Sequence, residues 1–308
     1  MILSHQVTQK DNGKRVVDIL NGTFGMSRLL TKRIRLYGTM TVNGIPCRMI
    51  DPAHTGDAIH MTYRENDAAE PETVSGRAGI DILYSDRYIL VVVKPAGMVT
   101  HPTSNHQSGT LTDHFPELML HPVSRLDRET SGIILIARDP HSHYTLALQH
   151  KNNTMKKEYL GIQHGIFSPE NGRIDAPIRR RANTIMLRCV APDGAAAITR
   201  YETIGKFPNV GASLVKFSLE TGRTHQIRVH SLYLGHPIIG DGLYGASSNE
   251  NAHYQKSGFL DRVIHRQALH AAYLTFDHPI TGDRMFFEAP MPDDMESLLR
   301  EIRQMDRG

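Results

Sequence analysis

Five runs of strand-forming residues decide what this chain can become: Tyr88–Val93, Gly132–Ala137, Lys157–Phe167, Ala212–Leu219 and Ala272–Phe276. Helical patterns fall among and after them, at Pro140–Lys151, Thr224–Leu234 and Pro292–Met305. Strands interleaved with helices and hairpin-like turns predict a mixed α+β body and exclude a helical bundle. At 308 residues, 40% hydrophobic and 22% charged, the chain is long enough for two domains and apolar enough to bury a core.

The polar stretch Asn66–Gly79 is the natural break. It divides the chain into residues 1–65, a linker at 66–79 and a body at 80–308. A second polar stretch, Ser247–Gly258, reads as a surface loop of that body. The longest unbroken apolar run, Tyr88–Val93, falls far short of the roughly 20 residues of a membrane helix. Met1–Arg15 has no apolar signal core, and the only cysteines are Cys47 and Cys189. The expectation is a soluble cytoplasmic protein without disulfides or a CxxC metal site.

The formal charge is +3, so charge matters only where it is clustered. Between Ile19 and Ile50 the sequence has five basic residues and no acid. On a helix capped by Ser27, Arg28, Lys32 and Arg35 share one face, with Leu30 and Ile34 opposite. A strand and an Asn43-Gly44 hairpin turn follow. A solvated helix face is the ordinary reading of such a pattern. However, Ser27–Gly44 resembles the RNA-binding module named after ribosomal protein S4, which makes those three side chains candidates for RNA binding.

Two segments carry the chemistry. In PVSRLDRETSG (Pro122–Gly132), Asp127 lies between Arg125 and Arg128, and nearby cations favour an ionised carboxylate of the kind a nucleophile or general base requires. Taken alone, an acid beside arginines is ordinarily a loop salt bridge. In LETGRTHQIRVH (Leu219–His230), Thr224 is placed to cap a mostly apolar helix. Arg228 on that helix is then a buried guanidinium in need of an acid, for which Asp127 is a candidate. Metal-dependent hydrolysis is disfavoured: no HExxH occurs, and His225 and His230 are five apart.

These segments resemble the RluA family of pseudouridine synthases. PVSRLDRETSG is similar to its HRLDxxTSG signature, with Ser124 where the family usually has histidine. LETGRTHQIRVH with Gly235–Gly245 is similar to a second motif, and Lys94-Pro95-Ala96-Gly97 with His101-Pro102 to a third. Arg266–Phe276 and Phe287–Pro290 are similar to the C-terminal signature. The resemblance implies a mainly antiparallel central sheet with flanking helices, preceded by a small S4-like α/β module. It implies Asp127 as the catalytic aspartate, Arg228 as its ion-pair partner and Tyr159 as the aromatic packed on the target uracil. Arg125 is implied as the arginine that enters the RNA, and Ser124 as a supporting residue.

The implied reaction moves uracil from an N1 to a C5 glycosidic bond without redox change, so neither metal nor cofactor is expected. Attack by Asp127 on the anomeric carbon and removal of the 2′ proton stay open as routes. A dry, apolar pocket around one ion pair is expected. The expected partner is RNA, large-subunit ribosomal RNA first and transfer RNA second, acted on by a monomer. A catalytically inactive RNA-binding assembly factor is the other reading, against which the retained Asp127, Tyr159 and Arg228 speak.

Overall fold

The computed structural model describes residues 2–63, 79–103, 106–116, 118, 120–245 and 259–308. Most of the expected linker and the whole of the expected loop Ser247–Gly258 lie outside the described residues.

Residues 2–63 form a four-stranded sheet and two helices: β1 (Ile2–Gln6), α1 (Val16–Gly22), α2 (Arg28–Tyr37), β2 (Thr39–Val42), β3 (Ile45–Pro46) and β4 (Ala58–Thr62), in strand order β1-β4-β2-β3. Ser27 caps α2 as expected, its hydroxyl accepting from the Leu30 amide at 3.1 Å. Leu30 and Ile34 are buried with Val16, Ile19 and Met61. The Asn43-Gly44 turn has positive φ at both residues, 54° and 81°, the geometry that twists with a hairpin.

The rest of the chain is built on one ten-stranded sheet. Its elements are β5 (Asp81–Ser85), β6 (Ile89–Lys94), β7 (His121–Pro122), β8 (Ser131–Ala137), α3 (Pro140–Lys151), β9 (Lys156–His164) and β10 (Asn171–Asp175). A separate two-stranded hairpin, β11 (Ile178–Arg180) and β12 (Arg188–Val190), follows. Then come β13 (Ile198–Phe207), β14 (Ala212–Leu219), α4 (Gln226–Tyr233), α5 (Leu260–Val263), β15 (Leu269–Asp277), β16 (Arg284–Glu288) and α6 (Asp293–Arg307). The order is β10-β13-β14-β9-β15-β8-β6-β5, with β16 added on β15 and β7 on β8. Among the described residues only β15 and β8 pair in parallel, so the sheet is mixed and mainly antiparallel, as expected.

Strands β6 and β8 are apolar at successive positions because both their faces are covered. Ile89, Val91, Ile133 and Leu135 pack with Leu146 of α3. Leu90, Val92, Ile134 and Ile136 pack with Leu111 and Phe115 on the other side. Helix α6 buries Met295, Leu298, Leu299 and Ile302 in the core and lies against β13. Among the described residues no helix is long and apolar enough to cross a membrane.

Several boundaries differ from expectation by a few residues, and two of them have a local cause. Strand β9 stops at His164 rather than Phe167, because Gly165 turns the chain with φ +79°. Helix α4 starts at Gln226, and its N-cap is His225 in the left-handed region with φ 58°, not Thr224. The buried Gln226 amide organises this end: Oε1 accepts from the Arg223 amide and the Thr221 hydroxyl, and Nε2 donates to the Ile198 carbonyl.

Candidate active site

The loop between β7 and β8 places Asp127 over the middle of the sheet. Gly132, the second residue of β8, has φ +119°; a Cβ there would lie 2.3 Å from the Ala271 carbonyl oxygen, so only glycine lets β8 approach β15. The Asp127 carbonyl accepts from the Thr130 amide at 3.1 Å. Lys94, fully buried at the end of β6, donates to the carbonyls of Pro95 at 2.7 Å and Arg128 at 3.0 Å, pinning the residue after Asp127. Burial pulls its ammonium down to about 7.

Helix α4 presents Arg228, only 5% exposed, to two acids. Its Nη1 donates to Asp127 Oδ2 at 2.9 Å, while Nε and Nη2 donate to Asp241 Oδ2 at 2.7 Å and Oδ1 at 2.8 Å. Asp241 is completely buried and also accepts from the amides of Leu243 and Tyr244. Asp241 thus takes the Nε–Nη2 edge of the guanidinium, and Asp127 is met through Nη1. Burial opposes the charge on Arg228, but its hydrogen bonds and proximity to Asp241 and Asp127 raise its pKa above the usual value. The preceding loop is fixed from behind: the Gly240 amide donates to Asp261 Oδ1 at 2.7 Å, itself 3.0 Å from His164 Nε2.

Asp127 is 25% exposed and, with Tyr159 and Arg228, lines a cavity of about 560 Å³. Strand β9 brings Tyr159 there; burial and then the charge of Asp127 raise its phenol, so the hydroxyl keeps its proton. His225 Nε2 is 3.9 Å from Asp127 Oδ2, and its Nδ1 lies 2.8 Å from the Tyr244 hydroxyl. Tyr244 in turn lies 5.0 Å from the Arg228 guanidinium carbon, face on. Burial lowers the His225 pKa, which favours its neutral ring.

The structure therefore brings together Asp127, Tyr159 and Arg228, with Arg125 exposed at the cavity and Ser124 in its wall. Three expectations change. Arg128 does not face Asp127; its Nε donates to Glu129 at 2.7 Å. Arg228 serves two carboxylates, because one helix-borne guanidinium has donors enough for both. The cavity is not dry and apolar around one ion pair, since His101, His150, Lys157 and Arg223 also line it. Arg28, Lys32 and Arg35 are exposed on α2, in the module of residues 2–63.

Asp241 is the chief residue that motif reading passed over. Its signal was present: an acid between two glycines in GHPIIGDGLYG, following an apolar helix whose arginine needed a counter-charge. Gly240, Gly242 and Gly245 also have GxGxxG spacing, but the segment comes off α4 and its acid is spent on Arg228, unlike a dinucleotide loop opening a helix.

The sheet thus carries an arginine-held aspartate and a buried tyrosine in the wall of one cavity. Residues 88–233 match the family model described as RNA pseudouridylate synthase. The chain is 36% identical over 288 residues to an uncharacterized RNA pseudouridine synthase of Bacillus subtilis, YjbO, covering 91% of this chain and 96% of that protein. It is 36% identical over 276 residues to the ribosomal large subunit pseudouridine synthase D of Pseudomonas aeruginosa, covering 87% and 85%. The solved structure of human RNA pseudouridylate synthase domain containing 4 superposes with a TM-score of 0.58 at 25% identity, over 72% of this chain and 93% of that one. This chain belongs to the RluA-type RNA pseudouridine synthases, which are isomerases.

Proposed function

We propose that the protein isomerises particular uridines of large-subunit ribosomal RNA, with Asp127 as the catalytic aspartate. The observation that carries this reading is the single bond from Arg228 to Asp127: it fixes one carboxylate oxygen and leaves Oδ1 without a protein hydrogen bond among the described residues, on a side chain that lines the cavity. The target base is extruded from the RNA, at a cost of a few kcal/mol. Tyr159 packs on it and returns part of that cost. Arg125, exposed at the cavity, occupies the space the base leaves in the RNA.

The N1–C1′ bond breaks, the uracil turns, C5 bonds to C1′ and gives up its proton, and N1 takes one up, so the product is an isomer of uridine. Attack on C1′ and removal of the 2′ proton both call on the same ionised carboxylate, and neither requires a metal or cofactor. Residues 1–65 act as an S4-like RNA-binding domain through Arg28, Lys32 and Arg35, joined by a linker at 66–79 to a catalytic domain at 80–308, in a cytoplasmic monomer. The ribosomal target rests on relatives that are named large-subunit enzymes.

The test is site-by-site pseudouridine mapping of ribosomal and transfer RNA from cells lacking the gene. A large-subunit site lost on deletion, and restored by wild-type protein but not by Asp127→Asn, is the expected result. Loss confined to transfer RNA overturns the target.

A further inference from the structure

Strand β9 carries a second side chain into the cavity besides Tyr159. Residues two apart on a strand share a face, about 7 Å apart, and both Lys157 and Tyr159 line the cavity. Lys157 Nζ lies 2.6 Å from His150 Nε2, at the last turn of α3. Among the described residues it meets no carboxylate within ion-pair distance; the adjacent Glu158 bonds the Ser218 hydroxyl instead. A half-buried ammonium held by an imidazole, facing a cavity whose carboxylate, Asp127, is already held by Arg228, is a site short of an anion.

Burial along β9 says where that anion lies. Lys156 is exposed, Lys157 and Glu158 are half-buried, and Tyr159 onward is buried. A nucleotide entering base first sets its ring at Tyr159 and leaves its phosphates at the rim, beside Lys157. We propose that Lys157, oriented by His150, binds a phosphate of the extruded uridine and so fixes how far the base enters the cavity.

Two further facts agree. Burial pulls the Lys157 ammonium down to about 8, as for a cation without an anion. Burial and the neighbouring Lys157 bring His150 down to about 4, so its neutral ring is free to accept from the ammonium.

The inference rests on the cavity being the uridine site. Its test is titration of the full-length protein with uridine, uridine 5′-monophosphate and uridine 3′-monophosphate, followed by NMR. Wild type should bind one monophosphate at least about tenfold tighter than the nucleoside, the worth of one charge-assisted hydrogen bond. The preferred isomer identifies the phosphate. Lys157→Met should abolish that preference without changing nucleoside binding, Lys157→Arg should restore part of it, and Asp127→Asn should keep it. Equal binding of nucleoside and nucleotides by wild type, undetectable binding of all three, or a preference that survives Lys157→Met overturns the assignment. An active Asp127→Asn enzyme that keeps the preference would instead overturn the catalytic reading alone.

Discussion

Arg228 and Asp241 are joined by two parallel hydrogen bonds, 2.7 and 2.8 Å, with the carboxylate fully buried. Asp241 is therefore the carboxylate that suffers most when the guanidinium is removed, although Asp127 faces the cavity. A buried charge without its partner costs about 3–5 kcal/mol, the destabilisation expected for Arg228→Met in urea unfolding. Adding Asp241→Asn should recover most of that loss, and adding Asp127→Asn much less, because Asp127 has solvent to fall back on. Strictly additive energies in the Arg228–Asp241 cycle would contradict the pairing.

Asp241→Asn alone should leave the fold in place yet lower turnover at least tenfold, since the guanidinium loses the anion that aims it at Asp127. Substrate affinity should hold, because many phosphate contacts supply it. A rise in KM with unchanged kcat would place Asp241 in binding instead.

Stability should fall in mild acid. His270 is buried in β15, its Nδ1 2.9 Å from the Ser131 hydroxyl, and burial lowers its pKa from 6.5 to about 4. Between those values the unfolded chain binds more protons than the folded one, so stability declines as pH drops through 6.5 toward 4. The full effect is about 3 kcal/mol. His270→Asn should flatten the decline in urea midpoints across that range; an unchanged slope would mean the buried ring is not what titrates.

The exposed basic face of α2 should track phosphates without touching chemistry. Replacing Arg28, Lys32 and Arg35 with glutamine should lower the log–log salt slope of binding to long structured RNA by roughly 2–3 units. Turnover at saturating RNA should be preserved, because uniform binding energy leaves the chemical barrier alone. An unchanged salt slope would make that face an ordinary solvated one.

Helix α3 was legible to its ends, Pro140 and Lys151, because Asp139 caps it through the amides of His141 and Ser142. The strands buried on both faces, β6 and β8, were legible as plain apolar runs. Strand β13 was not: its apolar residues fall three apart, at Ile198, Tyr201, Ile204 and Phe207, with Arg200, Glu202 and Lys206 among them, so it shows neither a continuous run nor a strand period. At the site, the pairing of Asp127 with Arg228 was anticipated. The buried Asp241 was not, because only the fold brings the carboxylate 13 residues beyond Arg228 back to its guanidinium. Thr224 is a good cap by type, but the chain needs His225 in a left-handed turn beside Asp127, a strained conformation costing about 1–3 kcal/mol that the site imposes.

The proposed catalysis depends most directly on Asp127. Its carboxylate is held by one Arg228 N–H at 2.9 Å and lines the cavity, so Asp127→Asn keeps the shape and removes the charge on which both routes depend. RNA labelled with tritium at uridine C5 loses its label to water only when C5 takes the glycosidic bond. Release by the purified variant should fall below about a thousandth of the wild-type rate, with an unchanged far-ultraviolet spectrum and RNA affinity. Release above that level from a folded variant would contradict the assignment of Asp127.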